Sequence, residues 1–155
     1  MTVRCEIVSQ NRMVYEDEVD IIVVPGTDGE MGILPHHAPV LSTLRYGVIK
    51  VRKGEEEHVF TATGGVVEVQ PDLVTILADA AEDVEEIDIA RAQAARDRAQ
   101  KRLEEGPPAD TDAYLALESA IRRSNLRLEA VRRFRRGRRI PQPGPSAPPR
   151  EEDNN

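Results

Sequence analysis

Six side chains in the second half of the sequence could act together: Glu82, Asp88, Arg91, Arg98, Arg123 and Arg127. With 3.6 residues per helical turn, Asp88 and Arg91 share a face, and Arg98 lies two turns beyond Arg91. Arg123 and Arg127 stand one turn apart on a later helical stretch. If the two helices fold against each other, both arginine pairs face one cleft. Four guanidiniums around a cleft suit a polyphosphate, because the planar fork binds its oxygens bidentately. The two carboxylates disfavour phosphate, but they could accept hydrogen bonds from a ribose or an adenine amino group. Spacing alone leaves a second reading open. These charges could be solvated and paired along their own helices, each pair contributing about 0.2–0.5 kcal/mol.

Two further clusters could carry chemistry. His36 and His37 are adjacent, so in an extended segment they point to opposite faces and rarely reach one ion. No third ligand accompanies them. A structural loop shaped by Pro35 and Pro39 is the expected role, with no metal. From Arg132 to Arg139, six of eight residues are arginine. This run could bind nucleic acid, form a solvated tail, or lie against an acidic protein surface. Only Phe134 is available there for stacking. The sequence contains no Gly-x-x-x-x-Gly-Lys-Ser/Thr phosphate loop, no Gly-x-Ser-x-Gly elbow and no zinc-protease helix, so no catalytic residue is expected.

The elements that must hold these residues follow from 155 positions, enough for one ordinary domain or two very small ones. Residues 1–86 hold 6 Lys+Arg against 17 Asp+Glu, and residues 87–155 hold 15 against 11. That asymmetry points to two units with different surfaces. The longest apolar run, Ile21 to Val24, falls far short of the roughly 20 residues a membrane helix needs. The chain does not open on a secretory pattern. Cys5 is the only cysteine, so no internal disulfide is possible, and a single thiol suits a reducing compartment.

Residues 1–80 read as β-structure. Val3, Cys5 and Ile7 alternate with polar neighbours, and Val19 to Val24 is rich in β-branched residues. Further strands are expected over 48–52, 58–63, 66–69 and 73–77. Turn signals fall at Pro25 to Gly29, Lys53-Gly54, Gly64-Gly65 and Pro71-Asp72. A small sandwich or barrel follows. Residues 87–134 then turn helical. Asp88 can cap a helix running from Ile89 to Glu105, and Gly106-Pro107-Pro108 stops it. Asp110 or Thr111 can cap a second helix with a seam of Tyr114, Leu117, Ile121, Ser124, Leu128 and Val131. The first helix offers a slimmer stripe of Ile89, Ala92, Ala95 or Ala99, and Leu103. Residues 135–155 are rich in Pro and Arg and are expected to be disordered.

Three stretches resemble the epsilon subunit of bacterial F-type ATP synthase. Gly32-Ile33-Leu34-Pro35-His36-His37-Ala38-Pro39 is similar to the family's glycine–proline–histidine–alanine–proline loop. Gly64 to Val69 with Val74 to Ala78 resembles a second signature. Asp88-Ile89-Ala90-Arg91-Ala92 resembles the start of its first C-terminal helix. The resemblance covers about residues 1–134, and the Arg/Pro-rich tail departs from it. It implies an α+β architecture: a ten-stranded β-sandwich over 1–86, an antiparallel two-helix hairpin over 87–134, and a disordered tail over 135–155. It also implies a non-catalytic central-stalk subunit that couples the rotor to proton-driven ATP synthesis and whose helices restrain ATP hydrolysis. The partners would be the gamma subunit, the c-ring and the alpha and beta subunits of the catalytic head, with no nucleic acid. The place would be the cytoplasmic face of the bacterial plasma membrane, peripheral through the complex. Gly32, Pro35, His37, Ala38 and Pro39 would form the loop meeting gamma and the c-ring. Ile87 to Ala92 further resembles the Ile/Leu-Asp-x-x-Arg-Ala motif of members that bind ATP in the folded hairpin. On that likeness Glu82, Asp88, Arg91, Arg98, Arg123 and Arg127 would hold ATP as a regulatory ligand, with no catalytic cofactor. The rival reading is a nucleic-acid-binding protein using the arginine run.

Overall fold

The computed structural model describes residues 1–135; of the tail expected to be disordered over 135–155, Arg135 is instead the C-cap of the second helix, and residues 136–155 lie outside the described part. Eight strands come first: β1 Val3–Ser9, β2 Arg12–Val19, β3 Ile21–Gly26, β4 Gly29–Ile33, β5 Val40–Lys53, β6 Glu56–Val69, β7 Leu73–Ala78 and β8 Ala81–Asp83. A one-turn 3-10 helix, Val84–Glu86, leads into α1 Ile89–Glu104 and α2 Thr111–Phe134. The strand order is β2-β1-β7-β6-β5-β3-β4, with β8 added on β6. All pairs are antiparallel except β1 with β7.

The architecture is the expected β-sandwich with two packed helices, but with eight strands rather than ten. The reason lies in β5 and β6, each 14 residues long. They stay paired from Val40↔Val69 to Lys53↔Glu56. Along β6, Phe60 to Ala62 pairs with β8, whereas Gly65 to Val69 pairs with β7. One bent strand therefore serves two regions of sheet and counts once. Gly64-Gly65 is accordingly not a turn. Both residues lie inside β6 with φ of 93° and 127°, and a Cβ at Gly65 would sit 2.1 Å from the Leu77 carbonyl oxygen. Only glycine allows that backbone approach.

Alternation fixes which face is buried. Val3, Cys5 and Ile7 of β1 are buried, as are Ile22 and Val24 of β3 and Val74 and Ile76 of β7. Phe60 fills the centre, with its ring 5.2 Å from that of Tyr15. A second, smaller cluster joins the sandwich to α2: Val59, Val84, Ile87, Ala130 and Val131, with Val48 and Phe134 against it.

The helix ends follow the capping residues. The Asp88 carboxylate accepts from the Arg91 backbone N–H at 3.0 Å, and that of Asp110 from Asp112 at 3.1 Å. Between these two possible second caps, the structure selects Asp110 over Thr111. Gly106, at φ 124°, follows the last turn of α1 and donates to the Leu103 carbonyl. The seam is built from small residues: Ala92, Ala99 and Ser124 are buried, while Ile89 and Tyr114 stay more than a third exposed. The apolar interface between the helices is thus thin.

Candidate cleft between the linker and the helical hairpin

The chain brings β8, the linker and both helices to one cleft of about 450 Å³. Glu82 comes from β8, Glu86 from the 3-10 turn and Asp88 from the cap of α1. Arg91 and Arg98 come from α1, and Arg127 from α2. Ile87, Ala92 and Ala95 complete the lining. Five of the six residues singled out by spacing and resemblance therefore share a cleft: Glu82, Asp88, Arg91, Arg98 and Arg127. Arg123 does not line it. A step of four residues along a helix rises roughly 6 Å and rotates about 40°, so a residue one turn from Arg127 need not share its outlook.

Charge is unevenly available within the cleft. Arg127 donates through Nε to Glu82 Oε1 at 2.7 Å, and its Nη2 contacts the same oxygen. Both side chains are about one-third exposed. The guanidinium of α2 is therefore neutralised by a carboxylate of β8. One oxygen of Asp88 is held by the Arg91 amide. Arg91 and Arg98, two turns apart on α1, are exposed and form no ion pair among the described residues. Glu86 is the lining carboxylate that the spacing argument missed. It lies in the short turn before Asp88, where helical periodicity gives no signal.

The histidine loop has separate geometry. His36 adopts φ 64° and its N–H donates to the Pro71 carbonyl at 2.9 Å. His37 Nδ1 lies 2.7 Å from the Ala38 carbonyl. Gly32, Ala38 and Pro39 are exposed, and Pro35 and His37 are half-buried. Leu34 and Leu41, which flank the loop, are 57% and 71% exposed. No group of three metal-ligating side chains occurs among the described residues. Of the arginine run, Arg132 pairs with Glu129 on its own helix, and residues 136–139 lie outside the described part.

A β-sandwich of this topology carrying a two-helix hairpin defines a two-part α+β module. Comparison with known proteins places it further. Residues 2–84 match the family described as "ATP synthase, Delta/Epsilon chain, beta-sandwich domain", and residues 85–132 match "ATP synthase, Delta/Epsilon chain, long alpha-helix domain". The ATP synthase epsilon chain of Dehalococcoides mccartyi is 41% identical over 139 residues, covering 86% of this chain and 94% of the relative. That of Syntrophobacter fumaroxidans is 43% identical over 129 residues, covering 83% and 95%. Among solved structures, a chain of the Euglena gracilis mitochondrial ATP synthase (OSCP/F1/c-ring) aligns with a TM-score of 0.68 at 25% identity, over 83% of this chain and 80% of that one. A chain from the Tetrahymena thermophila mitochondrial ATP synthase central stalk and c-ring shares the fold, at 17% identity and a TM-score of 0.55 over 84% and 97%.

The chain belongs to the ATP synthase delta/epsilon chain family. Like the epsilon chains it resembles, it is a non-catalytic subunit of ATP synthase. Among the described residues no helix is long and apolar enough to cross a membrane.

Proposed function

We propose that this chain is the central-stalk epsilon subunit, that its sandwich docks on the gamma subunit and c-ring, and that its hairpin senses ATP and restrains hydrolysis. The observation that carries the ATP reading is the shared cleft of Glu82, Asp88, Arg91, Arg98 and Arg127. Arg91 and Arg98 meet phosphate oxygens, while Glu82 and Asp88 take the nucleoside side. Arg127 joins them by exchanging its carboxylate partner for phosphate. Because the cleft needs residues of both helices and of β8, ATP binds the closed hairpin better than any opened form. A ligand shifts a conformational balance only through such a difference in affinity.

The loop proposal rests on exposed apolar groups. Leu34 and Leu41 flank Pro35 to Pro39, and large apolar side chains clustered in the open mark partner surfaces. Gly32, Pro35, His37, Ala38 and Pro39 form the contact with gamma and the c-ring. In the opened form, α2 reaches toward the alpha and beta subunits and obstructs rotation. The chain is then peripheral to the membrane, at its cytoplasmic face, through the complex.

The family membership weighs against the nucleic-acid alternative, and the acidic sandwich would repel phosphodiesters. The reading is tested by reconstituting the enzyme with the full chain or with residues 87–155 deleted. Deletion should raise ATP hydrolysis at low ATP. Unchanged hydrolysis would show that these helices do not inhibit.

A further inference from the structure

The hairpin is fastened to the sandwich through α2, and its fastening points run down the helix toward its C-terminal end. The Arg122 guanidinium stacks over the Tyr46 ring at 3.9 Å. Arg127 pairs with Glu82. Ala130 and Val131 are buried against the cluster of Val59, Val84 and Ile87. The last described residue makes the most unusual contact. Arg135 Nη2 donates to the Val84 carbonyl at 2.7 Å and to the Ile87 carbonyl at 2.8 Å.

Those two carbonyls bracket the 3-10 turn Val84–Glu86 that joins β8 to α1. The turn is itself loosely closed, with Ile87 N to Val84 O at 3.5 Å. For α1 to leave the sandwich, the backbone between Val84 and Asp88 must change direction, because it is the one covalent link between the two parts. A single guanidinium nitrogen bonded to both ends of this turn holds 84 and 87 at a fixed separation. The contact is also incomplete. Arg135 Nε is buried without a partner among the described residues, and the bonded oxygens are neutral carbonyls. Arg135 is half-buried, and a polar group left without its partner is costly to keep, so the contact is strong enough to orient the turn and weak enough to release.

We propose that Arg135 is a latch on this hinge: while its guanidinium bridges Val84 and Ile87 the hairpin stays closed, and its withdrawal frees the linker to swing. This deepens the two-state reading above and rests on it. It also gives one arginine of the basic run an internal role, distinct from contact with another subunit.

The test uses the full chain without nucleotide, spin-labelled at exposed Arg12 and Gln100 replaced by cysteine, with Cys5 left buried. Pulsed electron–electron resonance reads the separation of sandwich and hairpin, and hydrogen exchange reads the amides of 84–88. Arg135→Ala and Arg135→Gln should raise the population at the longer, open distance and speed exchange at 84–88 by about tenfold or more. Arg132→Ala, which removes the same charge from a side chain that among the described residues bonds to Glu129, should do neither. Circular dichroism confirms that the variants stay folded, and Arg135→Lys, which keeps a donor, should fall between. Unchanged distances and exchange in Arg135→Ala would overturn the latch, as would an equal response from Arg132→Ala. Adding ATP to the wild type in the same assay separates the two claims. If ATP narrows the wild-type distance distribution but Arg135→Ala has no effect, the latch alone fails.

Discussion

Arg127 of α2 and Glu82 of β8, 45 residues apart in sequence, meet at 2.7 Å on the wall of the cleft. The pair ties the second helix to the sandwich and sets a guanidinium on the lining of the cleft. A partly exposed pair of this kind contributes only about 0–1 kcal/mol, so an anionic ligand can displace it. Arg127→Ala should therefore weaken ATP binding more than Arg123→Ala does, because Arg123 does not line the cleft. Calorimetric titration of the two variants side by side checks the order. Equal losses would place Arg123 in the site after all.

Arg91 carries a separate expectation. It is exposed in the cleft, and its backbone N–H holds Asp88 while its side chain remains available. A charged hydrogen bond contributes about 1.5–3 kcal/mol, so Arg91→Ala should raise the dissociation constant for ATP more than about tenfold. The sandwich should melt at an unchanged temperature, since Arg91 touches none of its core.

The sandwich depends on one glycine more than on the others. Gly65 has φ 127°, and an added Cβ would lie 2.1 Å from Leu77 O and 2.8 Å from Ala78 Cα. Gly65→Ala must therefore push β7 away from β6 as well as strain its own backbone. It should cost about 3 kcal/mol or more, combining backbone strain and overpacking. Gly54, at φ 60° with open space around it, should cost only about 1–2 kcal/mol as Ala. Denaturant melts of both variants test the contrast.

Cys5 supplies a pH prediction. Burial, and secondarily the charge of Glu6, pushes its thiol up to about 12. The neutral thiol is favoured in the folded state, whereas an unfolded cysteine ionises near 8.5. Between those values the unfolded chain holds fewer protons, so stability falls as pH rises above about 8.5. Replacing Cys5 with Ala should flatten that alkaline slope. At neutral pH the native thiol should react with a thiol reagent only at the rate of unfolding.

The residues themselves explain which of these features could be read in advance. β1 was legible because Val3, Cys5 and Ile7 alternate cleanly. α1 and α2 were legible because Asp88, Asp110 and Gly106 mark their ends. β2 was hidden, since Glu16, Asp17 and Glu18 break the alternation and the strand lies mostly open, with the Asp17 carboxylate held by Lys53 at 2.8 Å. Gly64-Gly65 read as a turn because glycine pairs usually are one. Their need here is close approach to β7, a tertiary demand with no local sign. Helical spacing brought Asp88, Arg91 and Arg98 together. It could not separate Arg123 from Arg127, because that depends on how the two helices are rotated against each other. Nothing in the sequence announced the Arg135 contact, whose partners are backbone carbonyls rather than side chains.

The measurement that bears most directly on the account is an isothermal titration of the full chain with ATP. The account predicts binding at millimolar concentration or tighter, one ATP per chain, abolished when Arg91 and Arg98 are both replaced by Ala. It also predicts that binding protects the amides of α1 and α2 together from hydrogen exchange. A titration with no heat and no protection at millimolar ATP would contradict it, and the cleft would then be a charged seam that merely holds the hairpin shut.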